Sequence, residues 1–444
     1  MSATDATALK RRVCAAIDER RDDLVALAES IAAEPELGFK EVETTRKVVD
    51  AFEGLGLDAE TEIVVTGARA RYGDGPAVGA VLGELDALVN PEHPDADPET
   101  GACHACGHHA QIANLVGAAV GLVGADAADE LGGAVEFVAV PAEEYLDLDY
   151  RRGLVEAGEI EFFGGKQELI RRGYLDDVDF ATMIHAGSDV PHREITSDFS
   201  TNGFVGKSVT YRGREAHAGA APEEGVNALN AATLGLNAVH AQRETFRDED
   251  AVRVHPILTR GGDGVNVVPS EARLEAYVRA RTVEAVLDAN EKVDRALESG
   301  AMAVGADVAI EDHPGYLPLR TDPTIVDAHD ENVAFVADDV TITEGRPHLA
   351  GSTDMGDVTQ VLPGIHPWVG GFEGSVHSRE FRVVDEEMAY VVPAKVTACT
   401  LVDLLTDDAK LAAIREARDA KLSTDEYLDR VRSMRTDSTA TYSD

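Results

Sequence analysis

Long apolar segments that alternate with amphipathic ones constrain the fold of this chain more than any other feature. The segments AVGAVLGELDAL, GGAVEFVAVPAEE and FATMIHAG are nearly continuous in apolar residues, as strands buried on both faces are. Helical periodicity separates them, over 109–124, 151–158 and 164–173. This alternation predicts an α/β domain with a mostly parallel sheet and helices on both faces.

The pattern changes near residue 197. From there the order is strand, helix, two strands, helix and strand, the split βαβ arrangement of a ferredoxin-like α+β module. The sequence therefore predicts a smaller domain over 197–313 that interrupts a larger domain formed by 1–196 and 314–405. Residues 406–444 are predicted to be an acidic helical C-terminal extension, whose last Ser/Thr/Asp-rich residues are expected to fray.

The net charge of the chain limits the kinds of molecule that it is expected to bind. The chain has 82 acidic residues against 40 Lys and Arg, of which only nine are Lys, and a formal net charge of −42. Nucleic-acid binding is not expected, because phosphate contacts need a basic surface. Acidity spread along the chain with few lysines predicts a halophilic protein, since molar salt screens carboxylate repulsion. An ordinary acidic protein is the alternative.

Cysteine usage and hydropathy favour a cytoplasmic protein without a membrane partner. Four scattered cysteines are too few for a disulfide framework. The N-terminal segment MSATDATALKRRVCAAIDER lacks the apolar core of a signal peptide. We expect no membrane span, because no segment reaches the roughly 20 apolar residues that a span needs.

The segment GACHACGHHAQ is rich in metal-binding and redox-active residue types. Its C-x-x-C spacing could form a redox pair or a structural zinc site, but a structural site needs a second knuckle, which Cys14 and Cys399 do not form. The third interpretation is one half of a catalytic metal site. It is favoured because Cys106 and His108 flank a glycine at a strand-to-helix turn.

Further polar residues follow the ends of the predicted buried strands. They are Asp86, Glu143, Glu144 and His185. Each alone is more often a solvated or satisfied polar residue. In an open α/β sheet, however, ligands bind outside the carboxyl ends of the strands, and several such ends are predicted to converge here.

The motifs HACGHHAQIANLVGAA, PAEE, IHAG, GREAHAGAAPEEGVNALNAA, GGDGVNVVP with YVRA, and GSTDMGDVTQVLPGIHPW with VHSREF together resemble the M20 family of metallopeptidases and amidohydrolases. The similarity is greatest to the branch of aminobenzoyl-glutamate hydrolase subunits and M20-domain dipeptidases, and it spans about residues 10 to 405. It implies a di-metal, aminopeptidase-like catalytic domain interrupted by a lid or dimerisation domain, and a homodimer.

The resemblance also implies roles for individual residues. The implied metal ligands are Cys106, His108, Glu144, His185 and His377. Glu143 would be the general base and Asp86 would orient a ligand histidine. In the inserted domain, His217 would steady the tetrahedral intermediate, Asn266 would bind substrate and Arg279 would pair with the substrate carboxylate.

The implied cofactor is a pair of divalent ions, zinc first, with manganese or cobalt as alternatives. His109 departs from the family pattern, which commonly has Asp or Asn at this place, so the metal preference could differ. The implied activity is hydrolysis of the amide bond of small N-acyl, aminobenzoyl or aminoacyl amino acids by a metal-activated water. The alternative is a catalytically inactive family member that serves as a binding or partner subunit.

Overall fold

The computed structural model describes residues 3–187 and 190–443, with side chains from residue 5 onward. The chain forms two compact units, each assembled from three stretches of sequence. Unit 1 comprises Met1–Ser200, Arg320–Pro347 and Asp357–Thr424. Unit 2 comprises Thr201–Leu319, His348–Gly356 and Asp425–Asp444.

Unit 1 is built on a six-stranded sheet whose middle is parallel. Its strands, in spatial order, are Ala59–Ile63, Gly67–Tyr72, Ala134–Val140, Val78–Glu84, Phe180–Thr182 and Gly364–Ile365. The last four strands are parallel to one another. The second strand, Gly67–Tyr72, is antiparallel to both of its neighbours. Every residue of Val78–Glu84 and Ala134–Val140 is buried, as their apolar sequences predict.

A second, four-stranded sheet in unit 1 consists of Thr341–Ile342, Glu194–Thr196, Trp368–Val369 and His185–Ala186. The predicted strand over FATMIHAG is therefore two strands, which end in different sheets. Two-stranded pairs are formed by Leu88–Val89 with Ala102–Cys103, and by Phe372–Glu373 with Arg382–Val383. Two further short strands, Ser200–Thr201 and His348–Leu349, lie outside the main sheets of the two units.

The helices of unit 1 pack with its six-stranded sheet around a core rich in small apolar side chains. They are Ala3–Glu19, Arg21–Ala32, Val42–Gly54, His108–Gly124, Ala128–Leu131, Leu148–Glu156, Gly165–Arg171, Pro323–Val336, Met355–Val361, Val392–Thr406 and Asp408–Asp419. The central one is His108–Gly124, which is buried up to Leu122. Its Gly117 lies so close to Ala394 that an added Cβ would be 2.7 Å from the alanine Cβ.

One helical segment of the described chain, Glu387–Thr406, is long and apolar enough to cross a membrane by length and composition. This corrects the expectation that no segment would reach that threshold. The segment is 94% buried within the protein, which is the behaviour of a core helix. A π-helical turn over Glu387–Val391 precedes its α-helical part.

Unit 2 has an antiparallel sheet with the strand order of a ferredoxin-like fold. The strands are Arg253–Arg260, Glu271–Ala280, Gly203–Arg212, Asp307–Pro314 and Asp437–Ala440, in spatial order. The helices are Ala228–Gln242, Val283–Val304 and Thr424–Ser433, with short 3₁₀ turns at Pro222–Glu224, Arg243–Thr245 and Asp248–Asp250. Two of these helices, Ala228–Gln242 and Val283–Val304, share one apolar core with the sheet. The predicted α/β fold with a smaller α+β domain is confirmed.

The two units differ from the division predicted at 196, 313 and 405. Residues 348–356 belong to unit 2, although they lie inside the predicted segment 314–405. The predicted extension 406–444 is shared, because helix Asp408–Asp419 belongs to unit 1 and residues from 425 onward belong to unit 2. The last residues do not fray as expected: Asp437–Ala440 pairs with Asp307–Pro314, and the backbone hydrogen bonds of this edge strand hold it in place.

Candidate metal centre

The parallel strands of unit 1 bring their carboxyl ends to one edge of the sheet. Glu84 ends one strand, with Asp86 two residues beyond it. Glu143 and Glu144 follow the neighbouring strand Ala134–Val140, and His185 follows Phe180–Thr182. The structure therefore brings together the chemistry-bearing strand ends that the sequence predicts to converge.

The turn that carries Cys106 and His108 depends on glycine between them. Gly107 has φ of +86°, and a Cβ there would lie 2.4 Å from the Cβ of Ala186. Only glycine combines this left-handed conformation with so close an approach. The turn consequently places Cys106 against His185, with 3.4 Å between the thiol Sγ and the imidazole Nε2.

Two groups of potential ligands share the Cys106 thiol. Their members are Cys106, His108 and His185 in the first, and Cys106, Glu144 and His377 in the second. Within each group the ligand atoms lie within 4.8 Å of one another. A loop residue, His377, joins the group because its backbone N–H donates to the carbonyl of Ala105 at 2.8 Å. All five residues that the family resemblance implies as ligands are thus neighbours, and their roles as ligands remain predictions.

The orientation of these side chains fits divalent cations. His108 Nδ1 lies 2.8 Å from the carbonyl oxygen of Asp86, which can only accept, so the Nε2 of the neutral ring presents a lone pair. That Nε2 is buried and makes no hydrogen bond, and the same holds for Oε1 of Glu144. Glu144 Oε1 is only 3.2 Å from His377 Nε2. Potential ligand atoms this close together in a buried cluster fit a cation that takes the place of the protons between them.

The electrostatics of the centre favour ionised ligands. Burial opposes ionisation of Cys106, yet His185 and His108 lower the pKa of the thiol to about 6. Burial also opposes the charged forms of Glu144 and His377. Their mutual attraction nevertheless lowers the pKa of Glu144 to about 2 and raises the pKa of His377 to about 11. A cation would displace the histidine proton, and the thiolate, carboxylates and neutral imidazoles would then form a donor set suited to zinc, cobalt or manganese.

Buried groups hold the loop that carries Glu143 and Glu144. Asp86 Oδ2 accepts the N–H of Glu144 at 2.8 Å, while Arg151, whose guanidinium is buried, donates to the Glu144 carbonyl. Glu41 Oε1 accepts the N–H of Ala142 at 2.8 Å, which fixes a non-glycine residue at φ of +57°. Asp86 therefore contacts both His108, a predicted ligand, and the loop that carries the glutamate pair.

Other residues of the opening motif, Cys103, His104 and His109, do not belong to these ligand groups and make other contacts. The Sγ of Cys103 approaches the carbonyl of Asn90 at 3.9 Å, and burial raises the pKa of this thiol. His104 and His109 pack edge to face at 5.5 Å, and burial lowers the pKa of His109 to about 4. His109 also contacts the ring of Tyr390 at 6.0 Å. The residue that departs from the family pattern is therefore a neutral side chain in an aromatic environment.

The remaining predicted residues lie in unit 2. His217 and Asn266 are on adjacent exposed segments, which are joined by the Ala218 N–H donating to the Asn266 carbonyl at 3.0 Å. His217 Nδ1 accepts backbone N–H groups of residues 219 and 220, so its proton is on Nε2, which can donate to a substrate oxygen. Arg279 donates to Ser352 Oγ at 3.0 Å, and its guanidinium lies over the ring of Phe204.

Sequence reasoning missed Glu84 and Lys166, which form a fully buried ion pair at the same edge of the sheet. Glu84 Oε1 is 2.6 Å from Lys166 Nζ, and Glu84 Oε2 is 2.9 Å from His108 Nε2. The available signal was a charged residue at the end of an otherwise apolar, fully buried strand, two residues before Asp86.

Comparisons with known proteins agree with this geometry. Residues 199–303 match the M20 peptidase dimerisation domain. The chain is similar to the Xaa-Arg dipeptidase of Mus musculus, with 30% identity over 96% of both proteins. It is also similar to the N-acetylcysteine deacetylase of Bacillus subtilis, with 27% identity over 78% of this chain and 88% of that protein. A dinuclear metal-binding M20 peptidase from Bacillus subtilis shares the fold, with a TM-score of 0.65, 24% identity, and coverage of 87% of this chain and 99% of the other.

Proposed function

This chain belongs to the M20 family and is a metal-dependent hydrolase of amide bonds, and we propose that it is a dipeptidase with two divalent ions per subunit. The observation that carries this proposal is Cys106, whose thiol belongs to two groups of potential ligands and would help to hold both ions. When bound, the ions supply positive charge that activates a water molecule and polarises the scissile carbonyl.

Within this centre the protein's own groups have distinct tasks. Glu143 Oε2 lies 4.0 Å from His108 Nε2, so its carboxylate borders the ligand groups. There it can take a proton from the attacking water and deliver it to the leaving amine. Asp86 fixes the tautomer of His108, and thereby keeps Nε2 available as a ligand atom.

Dipeptides with a C-terminal arginine are the first substrates to test. The support is the mouse relative, which is named for that bond and aligns with 96% of this chain. N-acyl and aminobenzoyl amino acids remain the second class, because the Bacillus subtilis relative removes an acetyl group from N-acetylcysteine. Among the metals we favour zinc for the thiolate and imidazole ligands, with manganese or cobalt as alternatives.

The test is hydrolysis by purified protein reconstituted with zinc or manganese, followed as amino acid release from each substrate class. Glu143→Gln should keep its fold and metal content yet reduce kcat by about 10²–10⁴-fold. The matched control is Glu136→Gln. Glu136 is a buried glutamate in the strand Ala134–Val140, and its carboxylate pairs with Arg71. A metal-loaded wild type that cleaves none of these substrates would favour the inactive partner subunit.

We further propose a homodimer in which unit 2 supplies His217 to the neighbouring active site. Support comes from the match of residues 199–303 to a dimerisation domain. Mixing two inactive variants, Glu143→Gln and His217→Ala, and allowing subunit exchange tests this. Mixed dimers regain activity only if His217 acts across the interface, and no recovery means that it acts within its own chain.

A further inference from the structure

Glu84 is held in place by two buried donors. Lys166 Nζ contacts its Oε1 at 2.6 Å, and Gln111 Nε2 donates to its Oε2 at 2.7 Å. Glu84, Gln111 and Lys166 are each 0% exposed. An ion pair in such surroundings needs a geometry that offsets the desolvation of both charges. Lys166 contacts one carboxylate oxygen and Gln111 donates to the other, and that second oxygen has a further close neighbour with which it makes no hydrogen bond.

That neighbour is the imidazole of His108. Its Nε2 lies 2.9 Å from Glu84 Oε2, but the two atoms do not form a hydrogen bond. Because Nδ1 carries the proton that faces the Asp86 carbonyl, Nε2 presents a lone pair, and the carboxylate oxygen presents another. Burial opposes protonation of Nε2, although the Glu84 charge raises the pKa of His108, and a cation bound between the two atoms would take the place of that proton.

The distance itself matches shared coordination. Two ligand atoms about 2.1 Å from one ion, at roughly a right angle, are about 3 Å apart. Glu84, His108 and Glu143 also form a third group whose ligand atoms lie within 4.8 Å of one another. This third group is joined through His108 to the first of the two groups that share Cys106.

We propose that Glu84 is an additional ligand of the metal centre, binding through Oε2 the ion that His108 binds through Nε2. Lys166 is its positioning residue, because it keeps the carboxylate anchored by the opposite oxygen. An added oxygen ligand makes the centre harder, so it favours manganese relative to a site of sulfur and nitrogen alone. The inference rests on the two-ion centre of the proposed function, and it adds a ligand and a metal preference to it.

The experiment measures metal binding without substrate. Metal-free wild type, Glu84→Gln and the control Glu136→Gln are titrated with manganese and zinc against a chromophoric chelator. Cobalt-loaded samples are compared by visible absorption. Glu84→Gln should weaken binding at one of two sites by at least about tenfold, more for manganese than for zinc, and alter the cobalt spectrum. Glu136→Gln should match wild type in both measurements.

Two results would overturn the proposal. One is a folded Glu84→Gln protein with both affinities and the cobalt spectrum of wild type. The other needs no variant: anomalous scattering from crystals of the manganese-loaded wild type should place an ion about 2.0–2.4 Å from Glu84 Oε2. An ion bound by His108 but beyond about 3.5 Å from that oxygen excludes coordination. Neither result depends on hydrolysis, so failure of this proposal is distinguishable from failure of the proposed activity.

Discussion

Each unit contains a fully buried lysine paired with carboxylates, yet the two pairs are built differently. In unit 2, Lys207 contacts Asp312 and Asp294. The second oxygen of Asp312 accepts from Asn290 and Thr436, so both of its oxygens face hydrogen-bond donors. In unit 1, Lys166 contacts one oxygen of Glu84 and Gln111 donates to the other, but that second oxygen also lies 2.9 Å from His108 Nε2 without a hydrogen bond between them.

This difference separates a structural ion pair from one that is part of a functional site. The Asp312 cluster joins a strand, a helix and the segment before the final strand of unit 2, and it is complete within the protein. The Glu84 pair differs in that a potential ligand atom, His108 Nε2, lies against its second oxygen without a hydrogen bond, which is where we propose that a cation binds. Buried charge by itself therefore does not identify a site, whereas a buried charge with an oxygen directed at another acceptor does.

The largest expected effect is in unit 2. Lys207→Met should lower the free energy of unfolding by about 3–5 kcal/mol, because it leaves buried carboxylates without their countercharge. Urea unfolding measures the loss, and it should be the same with EDTA and with saturating manganese. A loss below about 1 kcal/mol would show that the Asp312 cluster contributes little to stability.

Lys166→Met should behave differently, because a bound ion can replace the lost positive charge beside Glu84. In EDTA we expect a loss of similar size, about 3–5 kcal/mol. With saturating manganese the loss should shrink by about 1–2 kcal/mol, through tighter binding of the ion to the folded variant. Equal losses with and without metal would remove the distinction between the two lysines.

Glu41 provides a buried carboxylate of unit 1 that has no lysine partner. Burial, reinforced by Asp86, raises the pKa of Glu41 to about 8. The unfolded chain ionises Glu41 near its ordinary pKa while the folded protein keeps it protonated, so the native state loses stability as pH rises towards 8. Relative to wild type, Glu41→Gln should gain about 1–2 kcal/mol between pH 5.5 and 8. A stability difference that does not change with pH would contradict the raised pKa.

Salt should produce the smallest change and should act on the surface alone. With a net charge of −42, wild-type stability is expected to rise by about 1 kcal/mol from low salt to molar KCl, as surface carboxylates are screened. The losses caused by Lys207→Met and Lys166→Met should stay nearly constant, since buried pairs are screened much less. A thermal midpoint that is flat or falls with KCl would contradict adaptation to salt.

The sequence predicted the edge of the sheet at which the metal centre lies, because strand ends and ligand types are local features. Cys106, His108, Glu144 and His185 could be found in this way. Glu84 could not be assigned, because its partner Lys166 is 82 residues away and only the fold brings them together.

The fold was predicted where apolar runs are long and was missed where they are short. The strand Gly67–Tyr72 alternates alanine and arginine, so it lacks the apolar pattern of its neighbours. Asp437–Ala440 contains no strongly apolar residue, and its strand conformation comes from pairing with Asp307–Pro314. Tertiary hydrogen bonding therefore overrides local composition at both places.

The two edges of the unit 2 sheet differ in length and polarity. Asp437–Ala440 occupies the side beyond Asp307–Pro314, which leaves Arg253–Arg260 as the outer strand at the opposite side. That strand exposes Ile257 and Leu258, which are 62% and 43% accessible. The opposite edge strand, Asp437–Ala440, is only four residues long and polar, so it offers little to a pairing chain. If Arg253–Arg260 paired with the same strand of a second copy across a two-fold axis, the two strands would cover each other.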